Sequence, residues 1–161
     1  MIESWRITRR RHAASAFSGE GARRAGGRWN RPGTPLVYTA GSQSLAILEM
    51  LVGLEPEDFP GEVILLRVEI PGDVSRELVD PAALPAGWNL YPGPEVLQDL
   101  GDAWVRRGQT CVLVVPSALV PRERNYLLNP AHPDMARLRI ARPEPFTFDP
   151  RLWKTTGTTP H

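Results

Sequence analysis

Leu45-Ala46-Ile47-Leu48-Glu49-Met50-Leu51-Val52-Gly53-Leu54 carries one charged residue, Glu49, in an otherwise apolar run. The run is apolar all round, so it predicts a buried helix rather than an amphipathic one. A carboxylate inside such a helix is costly to desolvate unless something pairs with it, and glutamates are seldom fully buried alone. Glu49 therefore either closes a structural salt bridge or faces a cleft where a ligand needs it. The run by itself leaves these two readings level, because structural ion pairs also perturb carboxylates.

Outward from this helix, the segments are short and mostly strand-like. Ile2 to Ile7 alternates as a strand. His12 to Arg24 is small, polar and basic, with room for one helical turn, and Gly26-Gly27 ends it. Leu36 to Ala40 is a strand leading to the helix, which Ser42 or Ser44 can N-cap. Glu55 to Gly61 is an acidic loop. In Val63 to Ile70, Ile64, Leu66, Val68 and Ile70 share one face, with Arg67 and Glu69 on the other. Ser75 to Val79 is a further strand candidate. Pro81 to Pro94 is rich in turn residues and holds Trp88 and Tyr91. Pro94 to Arg107 reads as a helix with Leu97, Leu100 and Trp104 on one face and Gly108 at its end.

Thr110 to Val115 is fully apolar and predicts a central strand. Asn125 to Pro130 reads as a polar turn after Leu127-Leu128. Ala136 to Ala141 alternates as a strand, and Phe146 and Phe148 are expected to pack back on the core. Residues 155–161 read as a loose tail. Strands outnumber helices and do not alternate regularly with them, so a doubly wound parallel sheet is not expected. The expected fold is α+β: one compact domain with two small, mostly antiparallel sheets and few helices.

The chain has 161 residues and a net charge of +1. That length suits one domain able to bury its own core, and the charge gives no general attraction to nucleic acid. Proline (17) and glycine (14) are plentiful but below the level that marks disorder, so they read as turns. One cysteine, Cys111, allows no internal disulfide and no Cys/His metal cluster; it is expected in the core. The first residues lack the apolar centre of a signal peptide, and no apolar run has membrane-spanning length. A cytoplasmic protein is the default expectation.

Three constellations bear on chemistry. In Gly26-Gly27-Arg28-Trp29-Asn30, paired glycines permit close approach of backbone or ligand, and Arg28 can offer a fork of donors to a phosphate or an amide. Tyr38 can stack on a flat ring and hydrogen-bond at its tip. Ser117 sits where the apolar strand ends, and either presents a hydroxyl to a site or caps the following turn. It lacks a Gly-x-Ser-x-Gly elbow and a His/Asp relay, which disfavours a serine hydrolase. His12, His132 and His161 show no ligand spacing. Arg9-Arg10-Arg11 and Arg23-Arg24 read mainly as solvated basic faces.

Taken in order, Trp5-Arg6-Ile7, Gly19-Glu20-Gly21-Ala22, Gly26-Gly27-Arg28-Trp29-Asn30, Tyr38-Thr39-Ala40, Ala46-Ile47-Leu48-Glu49, Leu84-Pro85-Ala86-Gly87-Trp88, Gly101-Asp102-Ala103-Trp104, Val115-Pro116-Ser117, Asn125 to Pro133 and Phe148-Asp149-Pro150-Arg151 resemble the RES-domain toxins, named for an arginine, a glutamate and a serine. The resemblance spans nearly the whole chain and implies a domain over residues 1–154. It implies a fold similar to ADP-ribosyltransferases of the diphtheria-toxin kind. NAD+ would be the substrate, with no metal, and an Xre-like antitoxin would cover the active site. It also implies roles. Glu49 would stabilise the cationic ribose, Arg28 would bind the pyrophosphate or nicotinamide end, and Tyr38 would stack on nicotinamide. Ser117 would hold the ribose or Glu49, with Arg6 and Asn30 as further ligand contacts. Water or phosphate is the preferred acceptor, giving a toxin that depletes NAD+. A protein acceptor, making an ADP-ribosyltransferase, is the runner-up. A ribonuclease toxin and a non-catalytic binding module are the rivals from other classes.

Overall fold

The computed structural model describes residues 1–55, 58 and 62–152. The acidic loop expected at 55–61 lies largely outside them, and the tail expected at 155–161 lies wholly outside. In chain order the elements are β1 (Ile2–Arg9), α1 (Glu20–Ala25), β2 (Val37–Ala40), α2 (Gln43–Val52), β3 (Val63–Ile70), β4 (Arg76–Leu78), α3 (Glu95–Arg107), β5 (Val112–Pro116), β6 (Arg124–Leu128), β7 (Arg139–Ile140) and β8 (Glu144–Phe146). Short 3-10 turns occupy Arg10–Ser15, Pro81–Ala83, Pro133–Arg137 and Pro150–Leu152.

The strands form one sheet in the order β4-β5-β6-β2-β1-β3-β7, with β8 also pairing with β3. All neighbours are antiparallel except β4 and β5. The fold is α+β, as expected. The two expected sheets are present as two halves of this one sheet. β1 and β3 pair along eight residues, and β2 and β6 along four, but β1 and β2 share only the Trp5–Ala40 pair. The sheet curls there, so Val68 and Ile70 of β3 pack in one apolar cluster with Val112 and Val114 of β5. The alternate residues Leu113 and Val115 pack with Leu97 and Trp104 of α3 and with Trp29. β5 is thus buried on both faces, which is why its sequence is a continuous apolar run.

Each helix is set by its ends. The Ser42 hydroxyl accepts from Leu45 N at 3.1 Å and caps α2. Gly108, in the left-handed region at φ 60°, ends α3. α2 is not buried all round as its composition suggests. Leu45 and Ala46 face Ala40, Trp5 and Ile7, while Leu48 is 46% and Val52 66% exposed. The helix lies on the outside of the sheet, so only one stripe of it meets the core.

Two other expectations are corrected. The segment read as a turn from Asn125 is strand β6, inserted between β2 and β5; its polar start follows from the cleft it borders. The strand expected over 136–141 is only β7, because Pro133 initiates a 3-10 turn up to Arg137. Phe148 is buried and meets Phe146 edge to face at 5.3 Å between ring centroids, as anticipated.

Cys111 has no exposed surface, and burial pushes its thiol up to about 11. Below that pH the group stays protonated, and the thiolate is the reactive form. Alkylation by iodoacetamide at pH 8, followed by mass spectrometry, is expected to leave the native protein unmodified and to label it fully in denaturant.

Candidate functional site

Where β1 and β2 part, a cleft of about 450 Å³ opens, within the usual range for small-molecule sites. Its walls include Arg6 from β1, Tyr38 from β2, Glu49 from α2, Asn125 from β6 and Arg28 from the glycine loop. Residues far apart in sequence converge here because the sheet halves diverge after one paired residue.

Glu49 is half-buried. Its Oε1 accepts from Ser117 Oγ at 3.1 Å and from Asn125 Nδ2 at 2.8 Å. Both partners are neutral, and none of the ion pairs of the described residues includes Glu49. The salt-bridge explanation of its isolation therefore falls away, and the cleft explanation remains. Ser117 is fully buried and also accepts from Leu119 N and Val120 N, each at 3.1 Å. It is both the turn cap and the support of Glu49: its one proton goes to the carboxylate, and its lone pairs go to backbone.

Arg28 Nη1 donates to Trp88 O and Leu90 O, both at 2.9 Å. A guanidinium carries five N–H donors, of which these bonds use two. Tyr38 Oη donates to Asn30 Oδ1 at 2.6 Å and accepts from Trp29 N at 3.1 Å. Burial raises the Tyr38 phenol well above its ordinary value, so it stays a donor. Asn30 is wholly buried and away from the cleft lining; its Nδ2 donates to Ala22 O, Arg31 O and Thr34 O. It braces the loop and the tip of Tyr38. Arg6 Nη1 donates to Tyr38 O at 3.0 Å, in the gap where β1 and β2 no longer pair. Burial lowers the Arg6 guanidinium from its ordinary value, and its Nε makes no hydrogen bond among the described residues.

Sequence reasoning missed the residues that hold the glycine loop. Gln98 Nε2 donates to Gly27 O at 3.1 Å and Asn30 O at 3.2 Å, and Asp102 Oδ1 accepts from Arg31 N at 3.1 Å. Gly101 lets α3 lie against this loop, since a Cβ there would sit 1.7 Å from Trp29 O. A glycine inside a helix costs about 1 kcal/mol against alanine, and that was the available signal of close packing. Asn125 was missed because its strand was read as a turn.

The RES domain family model matches residues 3–149. The chain belongs to the RES-domain family. A protein named Prs ADP-ribosylating toxin from Sphingobium sp. (strain YBL2) is 40% identical over 92% of this chain and 94% of its own length. Proteins named Toxin Res from Yersinia enterocolitica and Pseudomonas putida are 41% and 42% identical, each over 92% of this chain and 97% and 98% of their own lengths. Among solved structures, a chain of the M. tuberculosis MbcT–MbcA toxin–antitoxin complex superposes with a TM-score of 0.76 over 94% of this chain and 86% of that chain. At 20% identity it shows a shared fold.

The Gly101 contact is with backbone, so the RES-domain loop must move to admit a side chain. Gly101→Ala is expected to cost at least about 2 kcal/mol, lowering the melting temperature by roughly 4–8 °C. Gly21→Ala, where a Cβ meets nothing within 4 Å, is the control and should leave melting unchanged or raise it.

Proposed function

We propose that this RES-domain protein is the toxin of a bacterial toxin–antitoxin pair and that it cleaves the nicotinamide–ribose bond of NAD+. The observation that carries this reading is the half-buried Glu49, held in the cleft by two neutral donors. Arg6, Arg28 and Tyr38 stand on the walls around it. Cleaving the bond builds positive charge on the ribose, as in glycoside hydrolysis. A fixed carboxylate in a shielded cleft stabilises that charge and is not neutralised by an ion pair of its own. Both donors converge on Oε1, which leaves Oε2 for a ribose hydroxyl. Arg28 and Arg6 supply positive charge for the pyrophosphate, and Tyr38 offers a ring face to nicotinamide. Ser117 acts through Glu49. Nicotinamide leaves as a neutral group, so no general acid is required.

Water or phosphate is the preferred acceptor, which makes the protein an NAD+ glycohydrolase or phosphorylase. A second reading, transfer of ADP-ribose to a protein, is favoured by the relative named an ADP-ribosylating toxin; it shares the same first half-reaction. An Xre-like antitoxin is proposed to cover the cleft. No helix of the described residues is long and apolar enough to cross a membrane, and the cytoplasm, where NAD+ is available, is the proposed place of action. The RES domain is proposed to extend over 1–154.

Brief induction of the wild type is expected to lower cellular NAD+ within minutes while RNA stays intact. Glu49→Gln keeps both hydrogen bonds to its carbonyl oxygen. It should therefore melt within about 4 °C of wild type and lose at least about 10²-fold in activity. Growth arrest with NAD+ unchanged and radiolabelled ADP-ribose on a protein would favour the second reading. Cleaved RNA would remove both.

A further inference from the structure

Asn125 is an unusual residue to find paired on both sides in a sheet, with Ala40 of β2 and Val115 of β5. Asparagine is among the residues depleted in strands. Its side-chain amide is also only half satisfied. Nδ2 donates to Glu49 Oε1 at 2.8 Å, while Oδ1 is buried without a hydrogen-bond partner among the described residues. Buried polar atoms are rarely left so.

Turning the amide over would not help. An ionised carboxylate only accepts hydrogen bonds, so a reversed amide would press one oxygen against another. The amide therefore faces Glu49 with its N–H2 at the expense of its own carbonyl. An asparagine kept only to stabilise a strand would be expected to satisfy both ends.

We infer that Asn125 is a positioning residue: with Ser117 it fixes the rotamer of Glu49, so that the other carboxylate oxygen faces the ligand. Ser117 and Asn125 approach the same oxygen from the end of β5 and from β6, the strand next to it. Two donors from two main-chain anchors leave the carboxylate little freedom. The functional half of the inference rests on the NAD+ reading; the contact itself does not.

The test uses the full-length protein with Asn125→Asp and Asn125→Ala. Asn125→Asp keeps the shape and replaces the donor with a second carboxylate. At neutral pH two carboxylates then repel; as pH falls the pair takes up a shared proton, and the introduced carboxyl can donate to Glu49 as the amide did. The charged and titratable side chains on the same cleft walls are Arg6 on β1, Arg28 on the glycine loop and Tyr38 on β2, and Glu123 accepts from Ser42 Oγ at the start of α2 at 3.4 Å. These groups are common to every variant and cancel in a ratio.

Two readouts follow. The melting deficit of Asn125→Asp against wild type should widen as pH rises from about 4 to 7, because the pair is tolerated only while it holds a proton. In nicotinamide release from NAD+, both variants should lose at least about tenfold in kcat at pH 7 with KM changed less than about threefold. The Asn125→Asp to wild-type ratio of kcat should rise toward acid, whereas the Asn125→Ala ratio should stay low throughout. A deficit independent of pH would overturn the contact, and wild-type kcat in both variants would overturn the positioning role. If the wild type releases no nicotinamide, the NAD+ reading has failed, and the melting series still decides whether Asn125 holds the carboxylate.

Discussion

β1 and β2 part after a single paired residue, Trp5 with Ala40, and the site depends on that parting. A continuous ladder there would fill the space with backbone and leave no cleft. The Tyr38 carbonyl, which such a ladder would pair with backbone, is instead taken by the Arg6 guanidinium. The same divergence lets the sheet curl, so that its two halves bury one apolar cluster between them. The opening is thus a consequence of closing the core, and the chain sets Arg6, Arg28 and Glu49 among its otherwise largely apolar walls.

Around this opening the protein spends its polar groups on holding a few side chains still. α3 contributes amide, carboxylate and close backbone contact to the glycine loop. Asn30 ties the same loop to Tyr38. The backbone carbonyls of residues 88 and 90 hold Arg28, and Ser117 and Asn125 hold Glu49. Each of these polar side chains on the cleft walls is held by neutral donors, backbone or a short polar relay. Pre-set geometry of this kind is what electrostatic stabilisation of a short-lived cation requires.

Much of this was legible in the sequence where one physical rule decided the outcome. The short apolar run up to Val115 read as a central strand and the alternation of Val63 to Ile70 as a strand, and both are strands. The lone Glu49 in an apolar helix had to mark either an ion pair or a cleft, and only the fold decides between them. What stayed hidden depended on neighbours distant in sequence. Leu48 and Val52 read as core but face outward, because a helix cannot report which stripe the sheet will cover. Asn125 read as a turn because its strand character comes from β2 and β5 on either side. Asn30 read as a ligand contact, yet its amide donates to backbone carbonyls of α1 and of the loop, at Ala22, Arg31 and Thr34. The ordered resemblance to the RES family supplied the proposed substrate; no spacing of residues could have done so.

The Glu49 carboxylate is proposed to act directly on NAD+. The decisive measurement is nicotinamide release by purified, antitoxin-free protein, comparing wild type with Glu49→Gln at matched fold content by circular dichroism. Release that Glu49→Gln reduces by two orders of magnitude or more, with the fold intact, is the predicted result. Equal release by both proteins, or none from the wild type, would contradict it.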